Sequence, residues 1–172
     1  MDEPVMGTPD ERNTIVDEHD NVIGSKLRRE ITTQDIYRVS ALWLTNPRGD
    51  ILLAQRALTK SHDPGKWGPA VAGTVEEGET YEANITKEVG EELGLSGLDL
   101  KPESKLRFQD SGGWQYFTQV FSAVIDKPAE EFTVSKEEVA RVRWFGRQEL
   151  ERELKEHPED YLPSIHRLLT SL

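Results

Sequence analysis

The chain of 172 residues predicts an α/β fold, a mixed sheet held between helices. Three observations lead there. Short apolar runs alternate with turn-rich stretches through most of the sequence. One amphipathic helix interrupts them between Thr80 and Gly94. Residues 147–155 and 159–171 then place Leu150, Leu154, Leu162, Ile165, Leu168 and Leu169 near helical spacing, which predicts a closing pair of helices.

The elements follow in order. Residues 1–12, MDEPVMGTPDER, are acidic and have no apolar core of a signal segment, so a mobile N-terminal tail is expected there, followed by a single domain over 13–172. Ile15, Val16, Val22 and Ile23 flank His19-Asp20-Asn21, and Asp and Asn favour turns, so a hairpin is expected. Strands are expected at 37–45 and 51–56, separated by the turn Asn46-Pro47-Arg48-Gly49-Asp50. SHDPGKWGPAVAG reads as a loop leading to a short strand at 69–73. Two strands surround Ser111-Gly112-Gly113, and a further strand runs through Val139–Phe145.

Composition narrows the function. A formal net charge of -11 argues against affinity for nucleic acid or for anionic lipid. No apolar run approaches the length that spans a bilayer. With no cysteine there is no thiol nucleophile, disulfide or thiolate zinc site. A cytoplasmic location is the simplest expectation, and a homodimer is compatible with the sequence.

The stretch GTVEEGETYEANITKEVGEELGL, residues 73–95, carries the chemistry. Thr80 suits an N-cap and Gly94 a helix stop. Tyr81, Ile85, Val89 and Leu93 recur every four residues as an apolar stripe. At about 100° per residue, Glu92 projects roughly 40° from the centre of that stripe, Glu88 about 80° to the same side, and Glu91 well away. A merely solvated acidic face would centre opposite the stripe. These acids crowd its edge, where mutual repulsion and partial burial both oppose their charge. A bound cation would offset both costs, and an all-oxygen ligand set suits a hard ion, Mg²⁺ or Mn²⁺. Geometry alone leaves a solvated Glu-rich edge and a metal site both open. Lys87, the base in the middle, is within reach of Glu79, which stands at the helix start where an acid is favoured. Gly73 and Gly78 allow a sharp turn, and a carbonyl there can serve a metal.

Gly73, Glu79, Lys87, Glu88, Val89, Glu91, Glu92, Gly94 and Leu95 match the spacing G-x5-E-x7-R-E-U-x-E-E-x-G-U of the Nudix hydrolases, U being apolar. Lys87 stands where that family usually has Arg, which keeps the charge and loses the bidentate fork. The chain therefore resembles a Nudix hydrolase. The resemblance implies a Nudix-type α/β/α sandwich with a mixed sheet. It implies divalent metal on Glu88, Glu91 and Glu92 with Gly73 beside them, one of the glutamates or an acid from elsewhere as base, and Glu79 and Lys87 in support.

VDEHDNVIGSKLRREI and NPRGDILLAQRALTKSHDPGKWGPAVAG are similar to the isopentenyl-diphosphate isomerase-like branch, so the likeness covers residues 15–95. In that branch an R-x-x-x-K run grips diphosphate, which implies Arg56 and Lys60 here. The isomerase chemistry does not carry over. Its Cys position holds Ala72, its His positions hold Tyr37 and Thr74, and its later acids fall near Trp114 and Tyr116. The expected activity is metal-dependent hydrolysis of the diphosphate linkage of a small organic diphosphate, with a nucleoside di- or triphosphate as the expected class. An isomerase and a non-catalytic diphosphate-binding module are the alternatives. Outside the motif, Glu137 and Glu138 precede the last strand, as solvated loop acids or as an auxiliary base or ligand. Trp114, Tyr116 and Phe117 either pack the sheet or border a pocket. The histidines at 19, 62, 157 and 166 have no ligand spacing.

Overall fold

The computed structural model describes residues 8–172. The tail expected at 1–12 therefore lies largely outside the described residues; within them, β1 already begins at Arg12. The strands are β1 (Arg12–Val16), β2 (Val22–Leu27), β3 (Ile36–Thr45), β4 (Ile51–Arg56), β5 (Trp67–Pro69), β6 (Val71–Thr74), β7 (Lys101–Gln109), β8 (Gln115–Val124) and β9 (Val139–Phe145). The helices are α1 (Tyr81–Leu93), α2 (Arg147–Glu156) and α3 (Pro163–Ser171).

All nine strands belong to one sheet with β3 at its centre. β3 runs antiparallel to β1, β4 and β6 and parallel to β8, from Ile36 opposite Gln115 to Thr45 opposite Val124. The single parallel pairing makes the sheet mixed, as expected. Along β3 the side chains alternate between the two faces. Leu42 and Leu44 join Leu52, Val71, Phe121 and Ala123 beneath Ile85, Val89 and Leu93 of α1. Trp43 joins Leu53, Val120 and Phe145 beneath Leu150 of α2 and Ile165, Leu168 and Leu169 of α3. Helix, sheet and helix thus form three layers with an apolar core on each side of the sheet.

β3 also forks. Val39–Leu42 pairs with β6, whereas Leu44 and Thr45 pair with β4, which diverges to join β5 and β9. Arg56 ends β4 and Ala72 lies in β6, so these two residues stand on the two sides of the fork.

Two expectations change. The short strand expected at 69–73 is two strands, because the chain crosses the fork there: β5 ends at Pro69 on β4, and β6 begins at Val71 on β3. The last helix begins at Pro163, not at 159. Proline lacks an N–H and disfavours helical backbone in the residue before it, so it opens helices more readily than it continues them. Residues Pro158–Asp160 form a separate short turn, and the Leu162 N–H donates to the Trp67 carbonyl at 2.8 Å. The expected hairpin turn is present and has a structural task. Asp20 has a positive φ of 62° and accepts hydrogen bonds from Arg38, Tyr81 and Lys105, tying the turn to the first residue of α1.

Candidate active site

Helix α1 presents its acids as its periodicity requires. The Thr80 hydroxyl oxygen accepts from the Ala83 N–H at 3.0 Å and caps the start. Gly94 ends the helix at φ 64°, a left-handed conformation that glycine adopts without strain. Ile85, Val89 and Leu93 are buried, Glu92 is only 8% exposed, Glu88 is half-buried and Glu91 is exposed. This is the ranking that the angles from the apolar stripe predict.

Burial raises both inward carboxyls. Burial and then the neighbouring Glu91 push Glu88 up to about 7. Burial holds Glu92 well above the usual carboxylate range; Glu88 and Glu138 add to this, and Lys60 and the Ala72 backbone oppose it. The helix therefore holds two carboxyls whose ionisation is opposed by burial more than nearby cations and backbone N–H groups favour it.

Strand β6 lies directly against them. A Cβ at Gly73 would fall 2.6 Å from Glu88 Cδ, so a larger residue there would displace the Glu88 side chain from where it stands. Lys87 and Glu79 meet, as their spacing predicts. Lys87 Nζ lies 2.7 Å from Glu79 Oε1 and 2.6 Å from Glu76 Oε1. Glu79 also accepts from the Glu76 N–H at 3.0 Å and from Asn84 at 2.9 Å. Burial alone would raise Glu79, but the hydrogen bond from Lys87, with those from Glu76 and Asn84, brings it below its ordinary value. This knot braces the loop before α1 against its second turn. Asn84 completes it from the buried side, donating to the Thr74 carbonyl at 3.0 Å and accepting from Ser40.

Glu88, Glu91 and Glu92 face a cavity of about 520 Å³ that Gly73, Glu11, Glu76, Glu137 and Glu138 also line. Glu11 and Glu76 were not singled out in the sequence. Neither shares the helical spacing of α1. Backbone pairing brings them in, since Glu77 N–H donates to the Arg12 carbonyl and Thr14 N–H to the Val75 carbonyl. Among the described residues no three acidic or imidazole side chains converge on one point as they stand. The oxygens line a shared cavity and leave room for a bound molecule to supply further ligands. Their chemistry, all oxygen with two raised carboxyls and a bare backbone at Gly73, fits a hard divalent cation.

Arg56 and Lys60 stand beside this cavity and do not line it: Arg56 shares a narrow space with Glu92 and Glu138, and Lys60 pairs with Glu138. Arg56 is 8% exposed, and its Nε donates to the His62 carbonyl at 3.0 Å. Burial pulls its guanidinium down, against Asp63, Glu138 and Glu92. Lys60 Nζ lies 2.6 Å from Glu138 Oε2, a pairing the sequence did not reveal.

A second, smaller pocket of about 70 Å³ lies on the α3 face of the sheet. Tyr37, Val39, Ala41, Phe108, Tyr116 and Leu168 wall it, and Arg56, Ala72 and Thr74 form its side toward the acids. Tyr116 stacks between Tyr37 and Phe108, each ring pair 5.4 Å apart. Trp114 packs instead with Ile15, Ile31 and Tyr37, and Phe117 lies under Arg107. Tyr37, Ala72, Thr74 and Tyr116, far apart in sequence, thus gather at one place.

The comparisons agree with this architecture. A family model described as the NUDIX domain matches residues 36–168. An uncharacterised Nudix hydrolase of Pseudomonas aeruginosa is 34% identical over 131 residues, 76% of this chain and 75% of that protein. A prenyl-diphosphate phosphatase of Methanosarcina mazei is 31% identical and covers 87% of this chain and 88% of its own length. An isopentenyl-diphosphate Delta-isomerase of Photorhabdus laumondii is 28% identical over 95% of this chain and 93% of its own. The crystal structure of DR0079 from Deinococcus radiodurans superposes with a TM-score of 0.81 at 25% identity, covering 93% of this chain and 98% of that one. The chain belongs to the Nudix family, as a hydrolase.

Proposed function

We propose that this chain hydrolyses the diphosphate linkage of a small organic diphosphate with Mg²⁺ or Mn²⁺ bound in the acidic cavity. The observation that carries the reading is the edge of α1, which sets Glu88 against the bare backbone of Gly73 and Glu92 against that of Ala72, with burial opposing the charge of both. Glu88, Glu91 and Glu92, with the Gly73 backbone, hold the cation. When bound, it neutralises diphosphate charge and makes a water molecule more acidic. Arg56 and Lys60 orient the diphosphate from beside Glu138. Glu79 and Lys87 hold the loop, and so Gly73 and Glu88, in place.

The pocket beside the fork receives the organic group. Its lining among the described residues contains no amide or carboxylate side chain with which to read the edges of a base. Its volume of about 70 Å³ is small beside the roughly 150 Å³ of a cavity that holds benzene. This favours a compact apolar group over the nucleoside expected from the sequence. The relative named as a prenyl-diphosphate phosphatase supports the apolar character of the group, not its compactness. The positions that would carry isomerase chemistry, Tyr37, Ala72, Thr74 and Tyr116, here wall that pocket without a thiol, imidazole or carboxylate.

The test is turnover with Mg²⁺ or Mn²⁺ on nucleoside di- and triphosphates, nucleotide sugars and short branched alkyl or alkenyl diphosphates, with products resolved by mass. We expect release of phosphate or a monophosphate, lost in Glu92→Gln with the fold unchanged. Full activity in that variant would refute the role of Glu92. Isomerised diphosphate as product would refute hydrolysis.

A further inference from the structure

We propose that Lys60 and Glu138 form an exchange pair: without substrate Lys60 occupies the Glu138 carboxylate, and an arriving diphosphate takes Lys60 and frees that carboxylate for the cation. This rests on the reading of the acidic cavity as the metal and diphosphate site.

The side chains set it up. Lys60 Nζ lies 2.6 Å from Glu138 Oε2, and the Lys60 side chain is only 18% exposed. Glu138 lines the acidic cavity, and together with Arg56, Ala72 and Glu92 it also lines the narrow space at the fork. Its carboxylate is close enough to Glu92 to raise it, and Lys60 is close enough to lower it. Lys87, the lysine in the lining of the acidic cavity, is held by Glu76 and Glu79. Lys60 is therefore the lysine on the Glu92 side.

The backbone makes this an exchange of partners and not a loop movement. Ala57 N–H donates to the Glu138 carbonyl at 3.0 Å, which fixes Glu138 to the end of β4. Ser135 N–H donates to the Glu92 carbonyl at 3.2 Å, and Glu138 N–H to the Ser135 carbonyl at 3.1 Å, which fixes the same turn to α1. With both ends held, only the side chains are left to change partner.

The charges favour the swap. An ammonium beside carboxylates competes with a cation for them, and a diphosphate is a stronger partner for an ammonium than one carboxylate is. Metal and diphosphate then bind with positive coupling, since the anion removes the ammonium that opposes the metal. A cation alone meets a site still blocked on one side.

The experiment measures two constants on the full chain. Mn²⁺ binding without substrate is followed by the signal of free Mn²⁺, and KM is measured for a diphosphate that the wild type hydrolyses. Lys60→Met is expected to bind Mn²⁺ about tenfold tighter while its KM rises about tenfold, opposite changes that a folding defect would not give. The gain in Mn²⁺ affinity is expected to vanish in Lys60→Met/Glu138→Gln relative to Glu138→Gln alone. Unchanged or weaker Mn²⁺ binding in Lys60→Met overturns the exchange, as does a gain that survives in the double variant. If the wild type neither binds Mn²⁺ nor hydrolyses any diphosphate, the site assignment fails and the exchange with it. If the wild type does both, a failure in the variants counts against the exchange alone.

Discussion

Without metal, the protein should lose stability as pH rises from 5 to 8, because the folded state keeps a proton on Glu88 that the unfolded chain gives up. Glu88 moves from an ordinary value of 4.5 to about 7, chiefly by burial. Between these values the folded state binds more protons than the unfolded one, so stability is fully present below the lower value and falls as pH rises through the higher one. The full shift is worth about 3 kcal/mol at roughly 1.36 kcal/mol per pH unit, and partial solvent access to Glu88 reduces it to about 2 kcal/mol. Glu92, also raised, works in the same direction. Asp20, Asp35 and Glu79 are lowered, so their contribution is present at neutral pH and lost in acid. Maximum stability of the metal-free chain should therefore lie near pH 5. Urea unfolding in a chelator at several pH values measures the slope. Glu88→Gln should flatten it and leave the Glu92 part, and Mn²⁺ at about one hundred times its Kd should restore about 2.7 kcal/mol at pH 8. Metal-free stability that is level or increases from pH 5 to 8 would refute the reasoning, and so would an unaltered slope in Glu88→Gln.

Three further outcomes follow from particular contacts. Gly73→Ala would push its new methyl into Glu88, so kcat should fall at least tenfold while the circular dichroism of the helix is kept; normal turnover would show that the Glu88 position is not critical. Lys87→Met leaves Glu76 and Glu79 facing each other without their shared cation, and should lower stability by about 1–2 kcal/mol in urea unfolding, with Lys87→Arg close to wild type. Ser164→Phe would fill part of the apolar pocket, which Ser164 also lines. It should lower the ratio of kcat/KM for 3-methylbutyl diphosphate over methyl diphosphate by about tenfold, whereas an unchanged ratio would place the organic group elsewhere.

The sequence showed most clearly what depends on local periodicity. Along α1 the angle from the apolar stripe ordered Glu92, Glu88 and Glu91 by burial, because a helix turns a fixed amount per residue and its apolar face must meet the core. The reach of Lys87 to Glu79 was legible for the same reason, since Lys87 in the second turn of α1 faces back toward the residue just before the N-cap. Other features were hidden because they depend on strand register. Glu11 and Glu76 reach the cavity through pairing of β1 with the chain after β6, and Tyr37, Ala72, Thr74 and Tyr116 meet through the pairings of β3 with β6 and β8. Residues that face one side of a sheet alternate in sequence, and nothing in one strand names its neighbours.

The fork in β3 is the clearest instance, and it explains how one fold holds two unlike cavities side by side. If β4 had continued alongside β3 where β6 does, the sheet would separate the α1 acids from the apolar face completely. Because β3 changes partner between Leu42 and Leu44, a gap opens where Arg56 and Ala72 stand, and the space lined by Glu92 and Glu138 meets the space lined by Pro69 and Leu162. A diphosphate in that gap would have its charge toward α1 and its organic group toward α3. On the proposed function, the change of partner in the sheet would set the orientation of the substrate, and the residues on the two faces its chemistry.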